Sequence, residues 1–160
     1  MTLKEELRMT RSFSSPEEEL NLNLQRTVGL LGKPLFRFLK AHGLSLAQYN
    51  ILRILRGQPE RCLPCRQIGL RMVTREPDVT RLLDRLERDG LVERDRSEAD
   101  RRVVMISITK AGLDLLAELD QPMRGIHKDS LGHLTRAEIR ELNRLLVKAR
   151  QPFLEGEDHE

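Results

Sequence analysis

The apolar residues Leu20, Leu24, Val28, Leu31, Leu35, Phe38 and Leu39 recur mostly at steps of three and four, the spacing that lines one side of an α-helix. Ser15, Pro16 and Glu18 stand just before them. They serve as an N-cap, a first-turn proline and a capping-box acid, so a helix is predicted from there to His42 and Gly43. Gly29, Gly32 and Pro34 interrupt the stripe. Because Pro34 lacks an N–H and crowds the carbonyl four residues back, a kink or break is expected near Gly32. Residues 1–14 show no sustained period and read as a flexible arm.

A second helix is capped by Ser45, turns Tyr49, Leu52, Ile54 and Leu55 inward, and closes at Gly57 and Pro59. A short extended piece, Cys62 to Pro64, precedes a third helix from Cys65 to Met72 with Ile68, Gly69 and Met72 inside. The turn Thr74-Arg75-Glu76 leads through Pro77 into a fourth helix that buries Val79, Leu82, Leu83 and Leu86 and stops at Gly90, a helix-turn-helix. Leu91 to Arg94 is extended, and a polar loop runs from Asp95 to Arg102. From Val103 to Thr109 the residues Val104, Ile106 and Ile108 share one side, the period of two that marks a half-buried strand pairing back on 91–94. A two-stranded wing thus follows the fourth helix.

Thr109 can cap a further helix with Leu113, Leu116, Ala117 and Leu119 on one face, until Pro122 breaks or bends it. Thr135 and Glu138 form a second capping box, ahead of a stripe of Ile139, Leu142, Leu145, Leu146 and Ala149. Residues 151–160, from the approach to Pro152 onward, read as a disordered acidic tail. The fold class is mostly α with a small antiparallel β wing, a winged helix-turn-helix flanked by additional N- and C-terminal helices.

Composition narrows the function. A chain of 160 residues suits one compact domain. Aromatics at 3% and no Trp argue against an aromatic ligand cage or a platform for stacking unpaired bases. No apolar run approaches the roughly 18 residues of a membrane span, and Met1 to Leu20 carries charges rather than a signal core, so no membrane partner and a cytoplasmic location are expected. The net charge of +3 identifies nothing alone, yet 22 of the 28 basic residues are Arg. Residues 61–102 hold 11 Arg, no Lys and 9 acids. Guanidinium groups favour planar bidentate partners such as phosphate or guanine.

Turned at 100° per residue, the fourth helix sets Arg81, Asp84, Arg85 and Arg88 opposite its apolar side, with Thr80 on the flank. A helix about 10 to 12 Å across fits a major groove about 12 Å wide, and Thr80, Arg81 and Arg85 are the candidate readers of double-stranded DNA. The bland alternative is a surface helix whose charges form local ion pairs, Arg81 with Asp84 or Asp84 with Arg88. Arg94, Arg96, Arg101 and Arg102 gather at the base and tip of the hairpin, where a basic protrusion suits the negative potential of a narrow minor groove. Asp100, two residues before Arg102, can hold that side chain extended through a charge-assisted bond.

The run Asp78-Val79-Thr80-Arg81-Leu82-Leu83-Asp84-Arg85-Leu86-Glu87-Arg88-Asp89-Gly90-Leu91-Val92-Glu93-Arg94, followed by Asp100-Arg101-Arg102 and Ile108-Thr109-Lys110-Ala111-Gly112, resembles the MarR family of bacterial regulators. The resemblance spans about Leu44 to Arg150 and is most specific from Arg75 to Gly112. It implies that the helix bearing Thr80 and Arg81 enters the major groove, and that Arg102 of the Asp-x-Arg motif begun by Asp100 enters the minor groove. It also implies that the outer helices intertwine in a homodimer reading a pseudo-palindromic operator. The expected organisation is a flexible arm (1–14), an N-terminal dimerisation helix region (15–43), a winged helix-turn-helix DNA-binding domain (44–109), C-terminal dimerisation helices (110–150) and a disordered tail (151–160). The DNA-binding residues are expected to be Arg75, Asp78, Thr80, Arg81, Arg85, Arg96, Asp100, Arg101 and Arg102. Pro77 and Asp78 depart from the small polar residues relatives often carry there. Pro34 and Pro122 fall in helices that are often unbroken in relatives.

The implied function is a transcriptional regulator, read as a repressor and not an enzyme, with release by a small-molecule effector as a further implication. Arg37, His42 and Tyr49 lie where an effector pocket would form. Tyr49 also reads as core and His42 as a helix C-terminal cap, so no ligand residue is assigned. Cys62 and Cys65 make a C-x-x-C that suits either two small apolar positions or a redox pair. A thiol-based redox-responsive protein is therefore the alternative reading. His42, His127, His133 and His159 are scattered, so no metal site and no cofactor are expected, and no catalytic constellation is visible.

Overall fold

The computed structural model of the chain describes residues 2–74, 76–96 and 102–154, in one unit up to Met123 and a second from Arg124. In the first unit the Thr2 hydroxyl accepts from the Glu5 N–H, while the Glu5 carboxylate accepts from the Thr2 N–H at 2.7 Å. That capping box starts a helical turn, α1 (Leu3–Glu6), with Leu3 buried. The stretch expected to be a flexible arm therefore contains a docked turn, missed because one turn is too short to show a period.

Ser15 caps α2 (Pro16–Ala41) by accepting from the Glu18 N–H. The helix is continuous through Gly32 and Pro34, so of the expected kink or break the break is absent. Proline at 34 removes a single i to i−4 bond from a helix of 26 residues, and the flanking turns persist. The Ser45 hydroxyl and Gln48 side chain cap one another's backbone at the start of α3 (Leu46–Arg56), which also satisfies the polar end of the buried Gln48.

After β1 (Cys62–Pro64) come α4 (Cys65–Arg71) and α5 (Val79–Arg88), then β2 (Val92–Arg96) and β3 (Val104–Ile108). The wing was expected to have two strands. Cys62–Pro64 adds a third, giving the antiparallel order β1-β3-β2 with Leu63 opposite Ile106 and Arg94 opposite Ile106 on the other side. Helix α6 (Lys110–Leu131) runs unbroken past Pro122, so of the expected break or bend the break is again absent.

Helix α3 packs against α4, α5 and β3 and forms the centre of this unit. Its Ile51, Leu52 and Leu55 are fully buried, as are Ile68 of α4, Leu83 and Leu86 of α5, Ile106 of β3, and Leu116 and Leu119 of α6. Each such side chain contributes about 1.5 to 3 kcal/mol on leaving water, so the core fixes α4 and α5 against one another. A bidentate pair joins α3 to α6: Arg56 Nη1 and Nη2 each donate to an Asp120 oxygen at 2.9 Å, which raises the Arg56 guanidinium above its ordinary pKa.

In the second unit Thr135 and Glu138 cap α7 (Arg136–Leu154). The helix passes Pro152, so residues 151–154 are helical rather than tail; residues 155–160 lie outside the described residues. No residue of α7 is buried, and Ile139, Leu142, Leu145 and Val147 stand exposed.

Candidate nucleic-acid interface

Helix α5 begins where Asp78 Oδ1 accepts from the Arg81 N–H at 2.9 Å. Such a cap satisfies one of the four orphan donors of a helix start. Its other end is set by Gly90, at φ +70°, where the Leu91 N–H returns to the Leu86 carbonyl at 2.9 Å. The chain then enters β2 without a loop.

Thr109 locks this corner. Its hydroxyl donates to the Gly90 carbonyl at 2.7 Å and accepts from the Gly112 N–H at 3.1 Å, and its own N–H donates to the Leu91 carbonyl at 3.1 Å. One residue thus joins the end of α5, the approach to β2 and the first turn of α6. This gives the Ile108-Thr109-Lys110-Ala111-Gly112 run a physical reason.

Three stripes divide α5. Val79, Leu83 and Leu86 face the core, with Leu83 and Leu86 fully buried. Arg81, Arg85 and Arg88, also at i, i+4 and i+7, are exposed. Arg88 lies 3.6 Å from Asp89, whereas Arg81 and Arg85 have no acidic partner among the described residues. The third stripe is Thr80, Asp84 and Glu87. Arg94 of β2 pairs with it, with Nη2 at 2.6 Å from Asp84 Oδ1 and 3.3 Å from the Thr80 carbonyl, and Nη1 at 3.4 Å from Glu87 Oε2.

The ion pairs weighed from sequence, Arg81 with Asp84 and Asp84 with Arg88, are therefore replaced by a pair to the wing. Arg94, grouped with the basic residues of the hairpin, belongs instead to the body of the protein. Strand pairing runs from Val92 opposite Ile108 to Arg96 opposite Val104. Arg96 is exposed at the end of β2, and Arg102 is exposed two residues before β3. The remaining expected site residues, Arg75, Asp100 and Arg101, lie outside the described residues.

Asn50 was not anticipated. Its Oδ1 accepts from the Val73 N–H at 2.9 Å and ties the turn between α4 and α5 to α3. No sequence signal marks a partner 23 positions away. The cysteines are free thiols, half-buried; Cys62 opens the extended β1 and Cys65, just past its end, opens α4. At about 3.3 Å per residue their Cα atoms stand roughly 10 Å apart, beyond the 6.8 Å or so that a disulfide spans.

His42 caps α2, its Nδ1 2.9 Å from the Phe38 carbonyl, and Tyr49 is buried below Arg53. An adjoining cavity of about 290 Å³ is lined by Phe36, Lys40, Gly43, Leu44 and Ser45. Among the described residues no cluster of three His, Cys, Asp or Glu is placed to bind a metal ion, and no helix is long and apolar enough to cross a membrane.

Comparison with known proteins gives a consistent result. The MarR family profile matches residues 44–104. The homoprotocatechuate degradative operon repressor of Escherichia coli is 31% identical over 107 residues, covering 67% of this chain and 71% of that protein. The solved structure of a MarR transcription factor from Planctomyces limnophilus is 42% identical, with a TM-score of 0.65 over 84% of this chain and 98% of that one. A MarR family regulator from Streptomyces coelicolor, solved in complex with DNA, has a TM-score of 0.77 over 89% of this chain and 92% of its own. At 22% identity that last likeness speaks to fold alone.

Proposed function

The chain belongs to the MarR family of transcriptional regulators, and from that premise we propose that it represses transcription as a homodimer bound to a pseudo-palindromic DNA operator. The observation that carries this reading is the outward stripe of α5. Arg81 and Arg85 are exposed and unpaired among the described residues, on a helix whose opposite side is anchored in the core. Unpaired guanidinium groups can bond guanine edges or phosphates without first breaking an ion pair. Thr80 and Arg81 read the major groove, Arg85 and Arg75 add phosphate or base contacts, and Asp78 orients the helix start. Arg96, Asp100, Arg101 and Arg102 form the minor-groove contact at the wing.

The dimer is supported by apolar surface that a lone chain leaves in water. Val28 and Phe36 of α2 are 71% and 59% exposed, and α7 presents a stripe of its own. A second copy would cover both faces and set two recognition helices about one turn of DNA apart. Release by a small-molecule effector and a cytoplasmic location belong to the same reading.

Selection of bound duplexes from a random pool tests the reading. Half-sites centred about 10 bp apart are expected, with Arg81→Ala costing about 1 to 3 kcal/mol and relaxing preference at one base position. Unselective recovery of duplexes, or a monomer by sedimentation at micromolar concentration, would overturn it.

A further inference from the structure

We propose that Arg94 is a positioning residue that fixes the recognition helix against the wing and neutralises two acids beside the DNA-facing cations, rather than a DNA contact; this rests on the DNA-binding reading above. Thr80, Asp84 and Glu87 lie at i, i+4 and i+7, a single stripe along α5. It adjoins the stripe of Arg81, Arg85 and Arg88. Left uncovered, the Asp84 and Glu87 carboxylates would sit beside the cations meant for phosphates and oppose their approach.

Arg94 removes that conflict from the protein side. It shares the face of β2 with the buried Val92, so the pleat aims it inward at α5. Only 26% of its side chain is exposed, whereas its partners Asp84 and Glu87 are 55% and 42% exposed. Two of its nitrogens reach three α5 oxygens, at 2.6, 3.3 and 3.4 Å. The planar guanidinium makes this a clamp with a fixed orientation. A lysine could not reproduce it, since a single ammonium centre cannot reach the stripe from two nitrogens. The clamp joins the two parts that must meet adjacent grooves at the same time, the helix and the hairpin.

The test compares affinity for the selected duplex with affinity for an unrelated duplex across a salt series. For Arg94→Gln, affinity for the selected duplex is expected to fall at least tenfold. The triple variant Arg94→Gln, Asp84→Asn, Glu87→Gln is expected to regain affinity for both duplexes, because the unpaired acids are gone, but to keep a lowered ratio of selected to unrelated affinity, because the clamp is gone too. A direct contact predicts the opposite: no recovery in the triple variant and a salt slope lower by about one in the single variant, which would overturn the proposal.

If Arg94→Gln fails to fold, the Asp84→Asn, Glu87→Gln pair decides with Arg94 retained. A positioning role requires that freeing Arg94 lower the ratio of selected to unrelated affinity; an unchanged ratio would overturn it. If the parent protein binds neither duplex, the DNA-binding reading fails, a result distinct from either outcome for Arg94.

Discussion

The carboxylate of Asp78 accepts a hydrogen bond from the backbone N–H of Arg81 at 2.9 Å, so the acid heading α5 already has a partner inside the protein. Replacing an N-cap Asp by Ala costs about 0.5 to 2 kcal/mol, whereas Asn caps about as well. Asp78→Ala is expected to lower the midpoint of urea unfolding and Asp78→Asn to leave it unchanged. Duplex selection separates this from base reading. A cap role leaves the preferred sequence of Asp78→Asn as in the parent, and a contact to cytosine changes it at one position.

Gly112 sits where α6 leaves the sheet, and the reason is space rather than backbone angle. A Cβ there would overlap the Leu91 carbonyl oxygen and stand 2.7 Å from Ile108 Cγ1. Alanine ordinarily gains about 1 kcal/mol over glycine in a helix. Overpacking against backbone costs about 1 to 3 kcal/mol, so the clash wins. Gly112→Ala is expected to be destabilising in chemical denaturation, while the same change at Gly125, with nothing within 4 Å of the added carbon, is expected to be neutral or stabilising.

These two sites show what the chain made legible. Caps and periods are local, so the helices at Ser15, Ser45, Thr109 and Thr135 and the buried Leu83 and Leu86 could be read directly. The exposed stripe of Arg81 and Arg85 followed from the same periodicity. Relationships across space could not be read. Ile51 is fully buried and Ile54 only partly so, the reverse of the expected inner face, because α3 is covered from several sides at once. Cys62–Pro64 is too short to announce itself as a strand without β3 beside it. Arg94 looked like one more wing cation because its partners lie 7 and 10 positions away in another element. At prolines 34, 122 and 152 the helix does not end: each forfeits one bond, and the rest of a long helix tolerates the loss.

The start of α7 gives a pH dependence with a definite sign. The Thr135 N–H and hydroxyl both donate to Glu138 Oε2, at 2.7 and 2.8 Å. These bonds, the backbone one foremost, hold the Glu138 carboxyl below its ordinary pKa. A depressed folded-state pKa means that the cap stabilises the helix above the ordinary carboxylate range and is lost as pH falls through the lower folded value. The carboxyl resonance of Glu138 is therefore expected to titrate at lower pH than a Glu in an unstructured peptide. Thr135→Gly should move that midpoint up. A midpoint in the parent protein equal to that of the unstructured peptide would mean that the capping box does not persist in solution.

The cysteine pair should be chemically quiet in the folded protein. Cys62 lies opposite Ser107 and Leu63 opposite Ile106 in the β1–β3 ladder, and Cys65 opens α4, whose Ile68 is fully buried. Bringing two Cα atoms from roughly 10 Å to disulfide range would peel β1 from β3 and pull the first turn of α4 out of the core. Treatment of the native protein with hydrogen peroxide should therefore leave both thiols titratable, with DNA affinity equal to that of Cys62→Ser, Cys65→Ser within about twofold. Mass spectrometry provides the opposing result. A peptide spanning 62–65 that is two hydrogens lighter, formed under native conditions together with loss of DNA binding that the double variant escapes, would replace the quiet pair with a redox switch acting through α4.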